Sequence, residues 1–116
     1  MKKIITTTKA PQPIGPYNQA VLVGNMLYTS GQIALHPETG ALVMDSIAVE
    51  TTQVMNNLKA VLEAAEMTFE NVIKASIFIS DMNSFGAINS VYGIYFEERT
   101  APARETVEVA NLPKFV

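Results

Sequence analysis

The 116-residue chain has no cysteine, no tryptophan and a single histidine. Without cysteine there is no disulfide, no thiolate metal site and no cysteine nucleophile. That absence suits the cytosol, and a cytoplasmic location is the expectation. The lone His36 stands in the turn-like run His36-Pro37-Glu38-Thr39-Gly40. One imidazole cannot make a multi-histidine metal site, and His36 reads as a solvated turn residue. No apolar run approaches the roughly 20 residues of a membrane span. No long apolar segment follows Lys2 and Lys3, so neither a membrane anchor nor a signal peptide is expected. A basic excess is missing too: Lys and Arg number 8 against 11 Asp and Glu, a formal net charge of −3. That balance argues against nucleic acid as the main ligand, because phosphate binding wants a basic surface. There is no P-loop, no dinucleotide glycine motif, no His-Glu metalloprotease pattern, no internal repeat and no low-complexity linker. Neither metal nor cofactor is expected.

What is present fits one domain over residues 1–116, since 48% of the residues are hydrophobic and such a length buries a real core. Residues 4–12 are weakly patterned and read as a short edge strand or a loose arm. Pro13-Ile14-Gly15-Pro16-Tyr17 is a stiff loop that can hold Tyr17 in place. Gln19 to Val23 reads as a strand, Gly24-Asn25 as a hairpin turn, and Met26 to Ala34 as the return strand. Inside that return strand, Gly31 suggests a bulge or the close approach of another group. Ser46 can cap a helix whose apolar positions, including Val54, Met55, Leu58, Val61 and Leu62, recur at steps of three and four. Val72 to Ser80 is the next strand. Asn83 or Ser84 can cap a second helix, striped by Phe85, Ile88, Val91, Tyr92, Tyr95 and Phe96 and ending near Arg99. Gly86 and Gly93 weaken that helix. A last strand runs from Pro102 to Val109.

Strand, strand, helix, strand, helix, strand predicts an α+β layer sandwich: one sheet with both helices on one face. The other face would carry Tyr28, Ser30, Gln32, Phe78, Arg104, Thr106 and Glu108. It is too apolar for solvent and too polar for a private core, so a closed homo-oligomer is expected. Arg104, at the start of its strand behind a rigid proline, is placed to grip a small carboxylate with two parallel hydrogen bonds. An ordinary ion pair with a neighbouring acid is the alternative reading.

Several blocks, in one order, resemble the RidA (reactive intermediate deaminase A, or YjgF-like) family along nearly the whole chain. They are Pro13–Tyr17, Thr29–Ile33, Pro37–Gly40, Asn57–Ala65, Asp81–Asn83 with Phe85, Asn89 and Tyr92, Pro102–Arg104, Val107–Val109 and Leu112-Pro113. The resemblance implies a chorismate-mutase-like β-β-α-β-α-β fold. It implies a homotrimer built through the sheet faces, with ligand clefts between subunits. It implies hydrolysis of 2-enamine and 2-imino acids, 2-aminoacrylate and its four-carbon homologue, to 2-oxo acids and ammonia. Such intermediates come from pyridoxal-phosphate-dependent Ser/Thr dehydratases, a functional link rather than a cofactor of this chain. By the same resemblance Arg104 grips the substrate carboxylate. Tyr17, Ser30, Gly31 and Asn89 shape the cleft, together with main-chain groups of Glu105 and Thr106.

Two departures from the family pattern stand out. Members continue past Leu-Pro into one more strand bearing a Glu that positions water, and this sequence stops at Val116 before it. Members often carry glycine where Glu66 stands, a natural left-handed helix end. The competing readings are a non-catalytic module binding small carboxylates and, third, an endoribonuclease or translation inhibitor.

Overall fold

A computed structural model describes residues 1–116. Five strands and two helices alternate: β1 (Lys2–Ile5), β2 (Ala20–Val23), β3 (Met26–Thr29), α1 (Ile47–Ala64), β4 (Lys74–Ile79), α2 (Phe85–Tyr92) and β5 (Ala103–Glu108). Of the weakly patterned residues 4–12, Ile4 and Ile5 belong to the edge strand β1, and the rest are turn and irregular chain. β1, β2 and β3 form an antiparallel meander, with Ile5 opposite Ala20 and Ala20 opposite Thr29. β4 and β5 pair in parallel across the α2 connection, Ala75 beside Arg104 and Ile77 beside Thr106. A parallel pair needs such a long crossover, and here α2 supplies it.

The expected α+β class is what the chain adopts, but its strands form two separate ladders, not one continuous sheet. Side-chain alternation assigns faces to each strand; it holds no information about which strand edges meet. α1 packs on the antiparallel ladder through a core of Ile5, Ala10, Ala20, Ala60 and Val61, flanked by Leu22, Leu27 and Ala65. α2 covers the parallel ladder, bringing Phe85 and Ile88 over Ile77 and Ile79.

Ser46 caps α1 as expected, its hydroxyl accepting from the Val49 amide at 3.1 Å. The far end closes as a Schellman motif. The Met67 amide donates to Leu62 and the Glu66 amide to Glu63, both at 2.9 Å, with Glu66 in the left-handed region at φ 59°. The corner therefore takes the left-handed backbone that glycine favours while carrying a glutamate.

The second helix differs from its sequence reading. Ser84 makes no side-chain cap, and Asp81 instead accepts from the Asn83 amide at 2.9 Å to start a 3-10 turn, Met82–Ser84, that leads into α2. α2 then stops at Tyr92, and separate 3-10 turns carry the chain over Gly93–Tyr95 and Glu98–Thr100. Gly93 costs an α-helix roughly 1 kcal/mol against alanine, enough to end a helix this short.

Two buried amides fasten the loops. Gln19, 2% exposed, reaches the carbonyls of Thr7, Ala10 and Pro11 and accepts from the Thr7 amide. Asn57 donates to the carbonyls of Ile33 and Leu35, tying the segment after β3 to α1.

Candidate functional site

Three residues one α-helical face apart, Phe85, Asn89 and Tyr92, point from α2 toward the start of β5. Between them sits the half-buried Arg104. Its Nη1 donates to Asn89 Oδ1 at 2.7 Å. Its guanidinium carbon lies 5.0 Å from the Tyr92 ring centre and 5.7 Å from that of Phe85. Both distances are within the reach of cation–π attraction. No carboxylate touches it. The chain's one ion pair joins Lys74 to Glu105 at 2.8 Å, and Ser76 also donates to that carboxylate. Arg104 is therefore a partly desolvated cation held by neutral groups, with several of its five N–H donors uncommitted.

The cleft around it is lined by Ile77, Ile79, Phe85, Ile88, Asn89, Arg104 and Thr106. Burial pushes the Tyr92 hydroxyl above its usual pKa, and the neighbouring Arg104 charge partly offsets this. The hydroxyl oxygens of Tyr92 and Thr106 are buried without a hydrogen-bond partner.

This arrangement corrects the sequence reading of the faces. Arg104 and Thr106 lie on the helix-covered side of the parallel ladder, alongside Ile77 and Ile79. Phe78 pairs with Val107 in the register and belongs to the opposite side, with Ser76 and Glu105. Sequence alternation separates 104 from 105 but does not say which set turns to a helix. The neutral acceptor and rings of α2 make the helix side the one that can hold an arginine.

Tyr17 and Ser30 lie elsewhere. They line a second, open concavity of about 340 Å³ with Lys2, Pro16, Asn18, Val21, Tyr28 and Thr29. Gly15, at φ 124°, adopts a turn closed to residues with a Cβ. The turn brings the Tyr17 hydroxyl within 3.3 Å of the Ile14 amide, which donates to it. Ser30 donates to the Asn18 carbonyl at 2.5 Å. Gly31 is not within a strand: β3 ends at Thr29, and a Cβ at Gly31 would meet nothing within 4 Å. The bulge or close approach expected there is absent within the single chain. The structure thus brings Arg104, Asn89 and Thr106 into one cleft and Tyr17 and Ser30 into another. The Glu105 side chain turns away to Lys74. Sequence reasoning took Phe85 and Tyr92 for ordinary core stripe. Their spacing of four and three residues around Asn89 sets them on one helix face but does not distinguish them from core.

His36 lies in its turn, its Nδ1 accepting from the Glu38 amide at 3.2 Å. No group of three His, Asp or Glu side chains is placed to hold a metal ion. No helix is long and apolar enough to cross a membrane.

Comparison with known proteins places this geometry. A family profile described as Endoribonuclease L-PSP matches residues 7–116. The chain belongs to that family. It is 52% identical over 115 residues to a RutC family protein of Synechocystis, covering 98% of this chain and 88% of the relative. It is 45% identical over 114 residues to a 2-iminobutanoate/2-iminopropanoate deaminase of Mus musculus, covering 98% and 84%. The crystal structure of the Escherichia coli YjgF gene product superposes with a TM-score of 0.90 at 43% identity, covering 97% of this chain and 90% of that one. The RidA/YjgF-like resemblance and the fold it implied are both upheld.

Proposed function

We propose that the chain hydrolyses small 2-imino acids and their enamine tautomers to 2-oxo acids and ammonia. The observation that carries this reading is Arg104: a cation with no acid partner, opening on a short apolar wall. Its fork matches a carboxylate, and Ile77, Ile79, Phe85 and Ile88 lie beside it as apolar neighbours. The mouse relative is named for an activity of this class.

The chemistry asks little of the protein. Water adds to the C=N carbon, giving a carbinolamine. The nitrogen then leaves as ammonia while the C–O bond becomes a carbonyl. Such imines hydrolyse unaided, so fixing the carboxylate and orienting the electrophilic carbon toward water contributes mainly through geometry. Oriented hydrogen-bond donors add stabilisation as charge moves.

Tyr17 and Ser30 join Arg104 in this reading only across two copies of the chain. A homotrimer, the arrangement inferred from the resemblance, would set one protomer's Tyr17 concavity against the next protomer's Arg104 cleft. The exposed area supports association. The chain presents 7639 Å² to solvent. A folded monomer of its mass exposes about 6,200 Å². Much apolar surface lies on the outer sides of the ladders, where Tyr28 is 63% and Phe78 53% exposed.

The test is a coupled assay in which a dehydratase supplies the imine, and imine decay with release of ammonia is followed. Wild type accelerates the decay and Arg104→Ala does not. Equal rates in both end the proposal. Binding of 2-oxobutanoate without any acceleration would favour a non-catalytic carboxylate-binding module.

A further inference from the structure

We propose that Tyr92 is a positioning residue: its ring, together with Phe85, forms an aromatic seat that holds the Arg104 guanidinium ready for an anion. This rests on the reading of Arg104 as a carboxylate anchor and assigns the means by which the anchor is kept free of an acid partner and still.

An arginine side chain is long and loses much rotamer freedom when fixed. The usual fixative is a carboxylate, which would cancel the charge and occupy the fork. Arg104 is fixed differently. One N–H goes to the neutral Asn89, and two ring faces lie 5.0 and 5.7 Å from the guanidinium carbon. A ring face attracts a cation without consuming an N–H donor. The remaining donors stay open for a ligand.

The seat is itself braced. The Tyr92 ring lies 4.7 Å from that of Phe96, Phe96 meets Phe69 edge-on at 5.4 Å, and Phe69 meets Tyr95 at 5.2 Å. The row runs from the guanidinium back to the 3-10 turn Phe69–Asn71. The Tyr92 hydroxyl, meanwhile, is buried and hydrogen-bonds to nothing. Nothing in the structure makes the oxygen the working part, so the ring alone should suffice.

Two measurements test this. The first is the order parameter of the Arg104 Nε–H group by ¹⁵N relaxation, which needs no ligand. Wild type and Tyr92→Phe should be equally ordered, and Tyr92→Leu distinctly more mobile. The second is titration with 2-oxobutanoate. Tyr92→Leu should raise Kd about fivefold, with Tyr92→Phe unchanged. In the imine assay the leucine loss should fall on KM, with kcat retained. Tyr92→Met, unbranched and more adaptable in packing, is read the same way where the leucine variant fails to fold. Unchanged order and affinity in the leucine or methionine variant overturn the proposal, as does a phenylalanine variant that behaves like leucine. If the order parameters respond as expected while wild type neither binds 2-oxobutanoate nor hydrolyses imines, the seat stands and the proposed function falls.

Discussion

Arg104 and Asn89 meet across 2.7 Å as a cation and a neutral acceptor, on the helix-covered side of the parallel ladder. Replacing that acceptor with a charged one separates stability from binding. Asn89→Asp should keep or raise thermal stability while weakening 2-oxobutanoate binding at least tenfold, because the new carboxylate occupies the fork. Calorimetry and a melting curve on the same sample check both halves. A variant that binds as well as wild type would show that the fork is not the anion site.

Glu66 offers a gain. It holds φ 59° on the exposed end of α1, where a side chain costs about 1 kcal/mol against glycine. Glu66→Gly should stabilise the protein by about that amount, a rise of roughly 4 °C in Tm. An unchanged or lower Tm would mean that the extra freedom of glycine in the unfolded chain outweighs the relief.

Gln19 is predicted to be costly to remove. Gln19→Leu keeps the volume but strands the carbonyls of Thr7, Ala10 and Pro11, at a cost on the order of 3 kcal/mol. Hydrogen exchange at the Thr7 amide, which donates to the Gln19 oxygen at 2.8 Å, should accelerate more than exchange in α1.

Glu105 should resist acid longer than an ordinary glutamate. Hydrogen bonds from Lys74 and Ser76 hold its carboxyl below the ordinary value of 4.5. A carboxylate with a lowered folded pKa stabilises fully above its unfolded value and loses that contribution as pH falls through the folded one. Glu105→Gln should therefore be less stable than wild type at neutral pH, and the gap should close as pH drops below 4.5. Urea midpoints at a series of pH values measure it.

The outer sides of the ladders carry the assembly prediction. Phe78→Asp or Tyr28→Asp places a charge on exposed apolar surface and should yield monomers by light scattering where wild type is larger. A wild type that is itself monomeric at micromolar concentration refutes the assembly.

These residues also show how far the sequence could be read. The helical stripe of α1 and the Ser46 cap were legible because both are local: spacing and one hydroxyl decide them. The left-handed corner at Glu66 was legible only through the family pattern. The side of the ladder on which Arg104 lies was not, because alternation cannot tell a helix-covered face from an exposed one. Nor could spacing alone separate core aromatics from Phe85 and Tyr92, whose role appears only once β5 is laid beside α2. Gly31 misled for a related reason: a glycine near a strand end looks the same in sequence whether the strand continues or stops.

The separation of the Tyr17 hollow from the Arg104 cleft has a genetic corollary. Under the composite reading, an Arg104→Ala chain retains a sound donor half, and a chain damaged at Tyr17 or Ser30 retains a sound acceptor half. Co-expressed, two alleles that are each silent would rebuild some working seams between them. The same logic ties output per chain to dosage, since dilution below the association threshold would silence even the unmutated protein.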